Sequence, residues 1–445
     1  MERIVILGGS ESGVGSAVLA KKQGFDVFLS DNAQIVPKYL EVLQKWEIPY
    51  EQGGHSEDKI LNAKEIIKSP GIPLTAPLIV KAMACGIHVI SEIEFAGRYD
   101  KARKICITGS NGKTTTTTLI GYLLKNAGMN VGIAGNIGQS YAYQVATEDH
   151  DVYVLELSSF QLDNMYDFKA DIAIITNITP DHLDRYGHNM ENYVRAKFRI
   201  TQNMRPEDCF IFCSDDEITI RHLDKIMVRA RQLPFSQKKV LTQGAWLQDG
   251  KMKVSVDAGD DCDIFLEELA LGGRHNVYNS MAAAIAAKVM NIENETIRRS
   301  LMSFKGVEHR LEKVMSVGGV LYINDSKATN VDSAWYALEC QSRPVVWIVG
   351  GTDKGNDYTP LLELARAKVK AIVCLGVDNR KIHDCFRSVV PTIVDSLSAE
   401  EAVRVSASLA KEGDVVLLSP CCASFDLFKN YEDRGQKFKE AVKKL

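Results

Sequence analysis

Residues 108–118 read Thr108-Gly109-Ser110-Asn111-Gly112-Lys113, followed by the threonines Thr114, Thr115, Thr116, Thr117 and Thr118. An apolar run at residues 105–107 precedes this segment, and a helical stretch at residues 119–127 follows it. Strand, glycine-rich turn and helix start form the arrangement that holds nucleotide phosphates. Gly109 and Gly112 let successive N–H groups of the loop, including those of Ser110 and Asn111, converge on one anion, and the helix N-terminus adds positive potential. Lys113 would reach the β- and γ-phosphates, and the Thr114 or Thr115 hydroxyl would coordinate Mg²⁺. The two glycines stand closer together than in the usual phosphate loop. β-branched threonines start helices poorly, so the run is locally costly and implies more than scaffolding.

Ligands of open parallel sheets sit beyond the carboxyl ends of the strands. Two apolar runs after the loop, residues 152–157 and 172–176, read as such strands. Glu156 lies near the end of the first; the second leads into Asn177-Ile178-Thr179-Pro180-Asp181-His182-Leu183-Asp184. Glu156 and His182 could therefore share a crevice with Lys113. A carboxylate and a neutral imidazole beside a phosphate loop suit a divalent metal that bridges phosphate oxygens. Asp181 and Asp184 beside His182 favour this reading over a satisfied structural histidine. Ser158, Ser159 and Gln161 add hydroxyl and amide groups at the same rim, and equally suit capping of the next helix. Lys197, on a helical segment, carries no signal of its own.

The elements that must position these groups form three α/β blocks. At 445 residues the chain accommodates about three domains. Residues 1–97 alternate apolar runs at 4–7, 27–29, 66–67 and 88–90 with helical segments, which argues for a parallel sheet. Their opening turn, Gly8-Gly9-Ser10-Glu11-Ser12-Gly13-Val14-Gly15, is like a dinucleotide fingerprint without its spacing, and Asp31 falls near the ribose-binding distance. A plain tight turn explains the same glycines. Residues 98–305 carry the phosphate loop and, around Asp249-Gly250, a hairpin read as a small antiparallel patch. Residues 306–445 alternate again, with strands expected at 320–323, 345–349, 371–375 and 415–418 and Gly306 at the boundary. The expected fold class is thus α/β with a Rossmann-like N-terminal domain, a central P-loop ATPase domain with an antiparallel β patch, and a Rossmann-like C-terminal domain.

Composition excludes several classes. A net charge of −4 makes no case for nucleic acid or an anionic membrane. No stretch approaches the roughly 20 apolar residues that span a bilayer, and the N-terminus lacks a signal peptide's layout. The ten cysteines form no CxxC pair and read as reduced thiols of a cytoplasmic protein. Nothing in the composition favours an oligomer, so a monomer is expected.

Together these segments resemble the Mur ligases, the ATP-dependent amide-forming enzymes of peptidoglycan precursor synthesis. The resemblance rests on residues 108–115, Glu156-Leu157-Ser158-Ser159-Phe160-Gln161, residues 177–184 and His275-Asn276 in the central block. Asn324-Asp325-Ser326-Lys327-Ala328-Thr329-Asn330, residues 419–431 and Ser69-Pro70-Gly71-Ile72-Pro73 resemble the branch that adds D-glutamate. The resemblance implies that Glu11, Ser12, Gly13, Asp31, Ser69, Pro70 and Gly71 bind the uridine diphosphate of UDP-N-acetylmuramoyl-L-alanine. Asn136, Ser158, Gln161 and His182 would also contact that substrate. Glu156 and His182, with Thr114, would hold two Mg²⁺ ions, and Lys197 would be the family's carbamylated lysine, a CO₂ adduct that turns a cation into a metal ligand. Asn276 and Asn279 would lie near the adenine of ATP, Asp325 at its ribose, and Arg310 and Lys327 at its phosphates. Thr329 and Lys354 would take the α-carboxylate of D-glutamate, with Ser424, Phe425 and Tyr431 near its side chain. Three rival readings are a sister ligase for another amino acid, a folylpolyglutamate synthase and a catalytically idle UDP-sugar sensor. The second lacks an N-terminal UDP-binding block, and an idle sensor has no reason to keep Lys113, Glu156, His182, Lys197 and Lys327 together.

Overall fold

The computed structural model describes residues 1–445, built around three sheets. The first sheet comprises β1 (Arg3–Leu7), β2 (Asp26–Asp31), β3 (Tyr50–Gln52), β4 (Glu65–Lys68) and β5 (His88–Ile90), all parallel in the order β3-β2-β1-β4-β5. Helices cover both faces, so β1 and β4 read as continuous apolar runs rather than alternating ones. The strand order reverses between β1 and β4, which opens a crevice after Leu7 and Lys68. There the turns following the two strands nearly touch. A Cβ on Gly8, whose φ is +105°, would stand 2.3 Å from Ser69 Oγ, so only glycine fits.

The second sheet holds β6 (Arg103–Thr108), β7 (Val131–Gly135), β8 (Val152–Glu156), β9 (Ile172–Ile175), β10 (Cys209–Cys213), β11 (Arg231–Ser236), β12 (Gly244–Gln248), β13 (Lys251–Ser255) and β14 (Cys262–Phe265). Its order is β14-β13-β12-β11-β10-β9-β6-β8-β7. Only β12-β13-β14 run antiparallel. Asp249 and Gly250, with φ of +52° and +72°, make the two-residue turn between β12 and β13, as the Asp-Gly pair demands. β6 lies between β8 and β9, so the loop after it emerges between Glu156 and the segment that follows Ile175.

These two sheets belong to one compact unit, Met1–Leu269 with Tyr278–Ser303. Packing between the two sheets' helices runs across residue 97. Helix Glu11–Lys22 is buried from Gly13 to Ala20 on every side, because it lies between its own sheet and helix Tyr141–Thr147. A Cβ on Gly15 would sit 1.9 Å from Ser140 Oγ, which shows how closely the helices approach.

The second unit, Ala270–Val277 with Phe304–Leu445, contains β15 (Glu312–Val317), β16 (Val320–Asn324), β17 (Val345–Val349), β18 (Val369–Leu375), β19 (Ile393–Ser396) and β20 (Val415–Leu418). Their order is β15-β16-β20-β17-β18-β19, with β15 antiparallel and the others parallel. The reversal between β20 and β17 brings the loops after Leu418 and Val349 together. Gly350 N donates to Pro420 O at 3.0 Å, and Thr352 N to Ala423 O at 2.8 Å.

Glu92 ties the first two sheets together. Its Oε1 accepts from Ser140 Oγ and from Ala142 N, while Oε2 has no hydrogen-bond partner. Burial raises its carboxyl from 4.5 to about 7. A raised carboxyl favours the neutral acid in the folded chain. The stability it contributes is fully present below about pH 4.5 and is lost as pH rises through about 7. Glu92→Gln should therefore change the thermal midpoint little near pH 5 and raise it by about 3–5 °C near pH 8.5, read by scanning fluorimetry. A difference that does not vary with pH would assign the titration elsewhere.

Candidate active site

The loop after β6 is laced to the segment after β9. Ser110 N donates to Asn177 O at 2.8 Å, and Asn111 N to Asn177 Oδ1 at 2.9 Å. Thr176 Oγ1 donates to Asn111 O at 2.6 Å, and Ser110 Oγ to Thr179 O at 2.8 Å. Gly109 has φ +144°, and a Cβ there would fall 2.0 Å from Thr176 Oγ1; Gly112 has φ +85°, and its Cβ would meet Asn279 Oδ1 at 2.4 Å. Both positions thus need glycine on conformation and on space. Helix Lys113–Asn126 starts directly behind Gly112. Three of its five costly threonines make local hydrogen bonds. Thr114 Oγ1 donates to Glu156 Oε2 at 2.7 Å, Thr116 Oγ1 to Asn279 Oδ1 at 3.2 Å, and Thr118 Oγ1 back to Thr114 O at 2.8 Å, while Thr115 is buried.

Two lysines converge on one carbonyl of this loop. Lys113 Nζ donates to Gly109 O and Ser110 O, each at 2.8 Å. Lys197, on helix Met190–Phe198, reaches the same Gly109 O at 2.7 Å and lies 4.5 Å from the Tyr193 ring centroid. Only 2% of Lys197 is exposed. Burial first, and the adjacent Lys113 second, hold its amine well below the ordinary ammonium range. Glu156, buried at the end of β8, accepts from Asn136 Nδ2 at 3.0 Å as well as from Thr114. The structure therefore joins Lys113, Lys197, Thr114, Glu156 and Asn136 through direct bonds around one loop.

His182 sits differently. It is a left-handed residue, φ +50°, whose Nε2 lies 3.5 Å from Asp181 Oδ2 and whose ring packs edge-on against Phe160. Its side chain is 41% exposed. Ser158 and Gln161 form a reciprocal capping box at helix Ser159–Leu162, so their polar groups serve the helix start.

In the first sheet's crevice, the Asp31 carboxylate accepts from Gly9 N at 2.5 Å and Ala33 N at 2.7 Å, shaping the turn after β1. Ser12 Oγ and Ser69 Oγ lie 3.4 Å apart across the crevice. Glu11 accepts from Tyr39 Oη at 2.9 Å and Ser140 N at 3.2 Å. The start of helix Glu11–Lys22 receives no side-chain cap. Sequence reasoning passed over Arg185, whose guanidinium donates to Gly71 O at 3.2 Å and Pro70 O at 3.4 Å and lies over the Phe160 ring. Only its place beside His182 in the segment could have drawn notice.

In the second unit, Asp325 ends the segment after β16, fully buried. Oδ1 accepts from Leu311 N at 3.2 Å and Oδ2 from Ser419 Oγ at 2.8 Å. Burial raises its carboxyl to about 6 against the opposing pull of Arg310. Arg310 lies between two left-handed residues, His309 at φ +61° and Leu311 at +46°, a strained arrangement that fixes its backbone. Lys327 Nζ lies 5.3 Å from the Tyr431 ring centroid. Asn276 Nδ2 donates to Gly272 O at 2.8 Å, and burial lowers neighbouring His275 to about 4, keeping it neutral. Lys354 and Phe425 are exposed, Ser424 is buried, and Thr329 is half-buried. Arg434, also missed by sequence reasoning, is buried and donates to Ser326 Oγ, Ser326 O and Cys422 O, pinning the loop that carries Lys327 to the loop that carries Ser424.

Gly109→Ala tests the loop directly. Its Cβ must displace Thr176 or Asn177, so affinity for a fluorescent nucleoside triphosphate should fall at least about 30-fold, roughly 2 kcal/mol. The thermal midpoint reports folding in the same sample; unchanged nucleotide affinity would remove the loop from the site.

Comparison with known proteins places the whole chain. Residues 2–91 match the MurD-like N-terminal domain of Mur ligases, residues 107–287 the Mur ligase middle domain, and residues 309–422 the Mur ligase glutamate ligase domain. A UDP-N-acetylmuramoylalanine–D-glutamate ligase of Bacteroides fragilis is 56% identical, with all of both chains covered. Those of Christiangramia forsetii, 54% identical over all of both chains, and Porphyromonas gingivalis, 55% over 99% of this chain and 98% of its own, are similar too. The crystal structure of UDP-N-acetylmuramate-alanine ligase from Thermotoga maritima shares the fold, with a TM-score of 0.64 at 20% identity over all of both chains. On these matches and the phosphate loop they contain, the chain belongs to the Mur ligase family.

Proposed function

We propose that the chain joins D-glutamate to the L-alanyl carboxylate of UDP-N-acetylmuramoyl-L-alanine, converting ATP to ADP and phosphate, in peptidoglycan precursor synthesis. The observation that carries this reading is identity of 54–56% over the whole chain to relatives named as that ligase. The bonded set around Gly109 supports it, because that set supplies what acyl activation needs.

The substrate carboxylate attacks the γ-phosphorus of ATP, forming an acyl phosphate and releasing ADP. The D-glutamate amine, once deprotonated, attacks the acyl carbon, and the tetrahedral intermediate expels phosphate as the amide forms. Lys113 and the loop amides hold the β- and γ-phosphates and offset charge as it builds. Gly109, Ser110, Asn111, Gly112, Thr114 and Thr115 complete that cradle. Arg310 and Lys327 act on the phosphates, Asp325 on the ribose, and Asn276 and Asn279 near the adenine. Residues 1–97 bind the uridine diphosphate, through Glu11, Ser12, Gly13, Ser69, Pro70 and Gly71, with Asp31 holding the turn in shape. Asn136, Ser158, Gln161 and His182 face the muramoyl end. Residues 98–305 bind ATP, and residues 306–445 the amino acid, through Thr329, Lys354, Ser424, Phe425 and Tyr431.

The donors fit Mg²⁺. Glu156 already receives the Thr114 hydroxyl, and carboxylate and hydroxyl oxygens are what a hard cation takes. Thr114, Glu156, His182 and carbamylated Lys197 would hold two ions, which supply charge neutralisation at the phosphates. Lys197 suits carbamylation because burial favours its neutral amine. That amine attacks CO₂, forming an N–C bond and releasing one proton, and the product is an anion beside Lys113. The ten cysteines, none in a disulfide, agree with a cytoplasmic setting.

Phosphate release from ATP with the UDP-substrate should occur with D-glutamate and be absent with L-glutamate, meso-diaminopimelate or L-lysine. Turnover with another amino acid alone would overturn the acceptor. Lys197→Ala should lose about 100-fold or more in kcat and recover part of it with added acetate or formate, which replace the missing anion. Full activity without an additive would end the carbamate reading.

A further inference from the structure

We propose that Cys374, His383 and Asp395 form a binding site for one divalent transition-metal ion of the zinc class, in the second unit and separate from every residue assigned to ligation. Cys374 and Asp395 are register partners on the adjacent parallel strands β18 and β19, so both side chains leave the same face of the sheet. Helix Arg380–Phe386 packs on that face, since its Ile382 and Phe386 share an apolar cluster with Cys374. It thereby brings His383 over the strand pair. The three ligand atoms lie within 4.8 Å of one another, and His383 Nε2 stands 3.0 Å from Asp395 Oδ1. A tetrahedral ion with bonds of about 2.0–2.3 Å separates its ligands by roughly 3.4–3.7 Å, which small side-chain rotations here would reach.

Three further features suit an ion. Asn379, itself buried, donates to Asp395 Oδ1 at 2.9 Å and to Gly376 O at 3.0 Å, orienting the carboxylate from behind. The sulfur lies at the inner end, fully buried, while His383 and Asp395 line an open cavity of about 910 Å³ that gives an ion its entry. Three protein ligands and a side open to water match the zinc sites that keep a fourth position for solvent. A sulfur, nitrogen and oxygen set selects zinc, cobalt or nickel over the hard Mg²⁺ that phosphate chemistry needs, so the two ions would not compete. Binding replaces the thiol proton: the S–H bond breaks, the S–metal bond forms, and one proton goes to solvent. Affinity should rise with pH accordingly.

The test is titration of the full-length protein with Co²⁺ in excess Mg²⁺ under a thiol-free reductant. The expected result is a near-ultraviolet thiolate-to-cobalt charge-transfer band that saturates at one equivalent and is displaced by Zn²⁺. Cys374→Ser should abolish that band. Asp395→Asn, at an exposed position where folding is not at stake, should weaken binding at least about 10-fold. Zn²⁺ should raise the thermal midpoint of the wild type by about 2–4 °C and leave Cys374→Ser unmoved. No band in the wild type, or the same band in Cys374→Ser from thiols such as Cys421 and Cys422, would overturn the proposal.

Discussion

The carbonyl of Gly109 is the point on which the contacts of the glycine-rich loop converge. It accepts from Lys113 and Lys197 at once, and two ammonium groups drawn that close would repel each other. The molecule relieves that repulsion by burying Lys197, which favours loss of its proton, while Lys113 stays with the phosphate loop. The two lysines thus meet at one backbone atom. That convergence survives only if the loop holds its shape, which is why it is bonded to Asn177, Thr176 and Thr179 from the side and closed by Asn279 from behind.

That requirement also accounts for the threonine run. Five β-branched residues at a helix start cost local stability, yet two of the short hydroxyl side chains bond directly to neighbouring elements. Thr114 reaches Glu156 and Thr116 reaches Asn279, linking the helix start to β8 and to helix Arg274–Val289. Longer helix formers would fill those spaces and hold the carboxylate away.

Most parallel strands and the Asp249-Gly250 hairpin were legible, because continuous apolar runs and a two-residue turn signal are local. β3, β10, β11, β15 and β19 were not singled out. Tyr50–Gln52 is a three-residue edge, Glu312–Val317 alternates with polar residues, and Ile393–Ser396 ends in Asp395 and Ser396. β7 was hidden by its glycines, which in isolation read as a loop. At the site, the phosphate loop and Glu156 announced themselves by spacing. Lys197 could not, since its burial comes from helix Met190–Phe198 packing beneath the loop. Arg434 was invisible for the same reason: its partner Ser326 lies far away in sequence.

Arg185 shows what tertiary packing adds beyond motifs. It clamps the Pro70 and Gly71 carbonyls of the first sheet, stacks on Phe160, and stands three residues from His182. Phe160 in turn packs against His182. Behind this clamp lies Lys68, buried, its amine lowered to about 8 by burial first and by Arg185 second. An amine near 8 still carries its proton at neutral pH, so two cations share this place, and the guanidinium, which cannot lose its proton, faces the carbonyls. The turn after β4 and the loop after β9 consequently cannot move apart without breaking the same two hydrogen bonds.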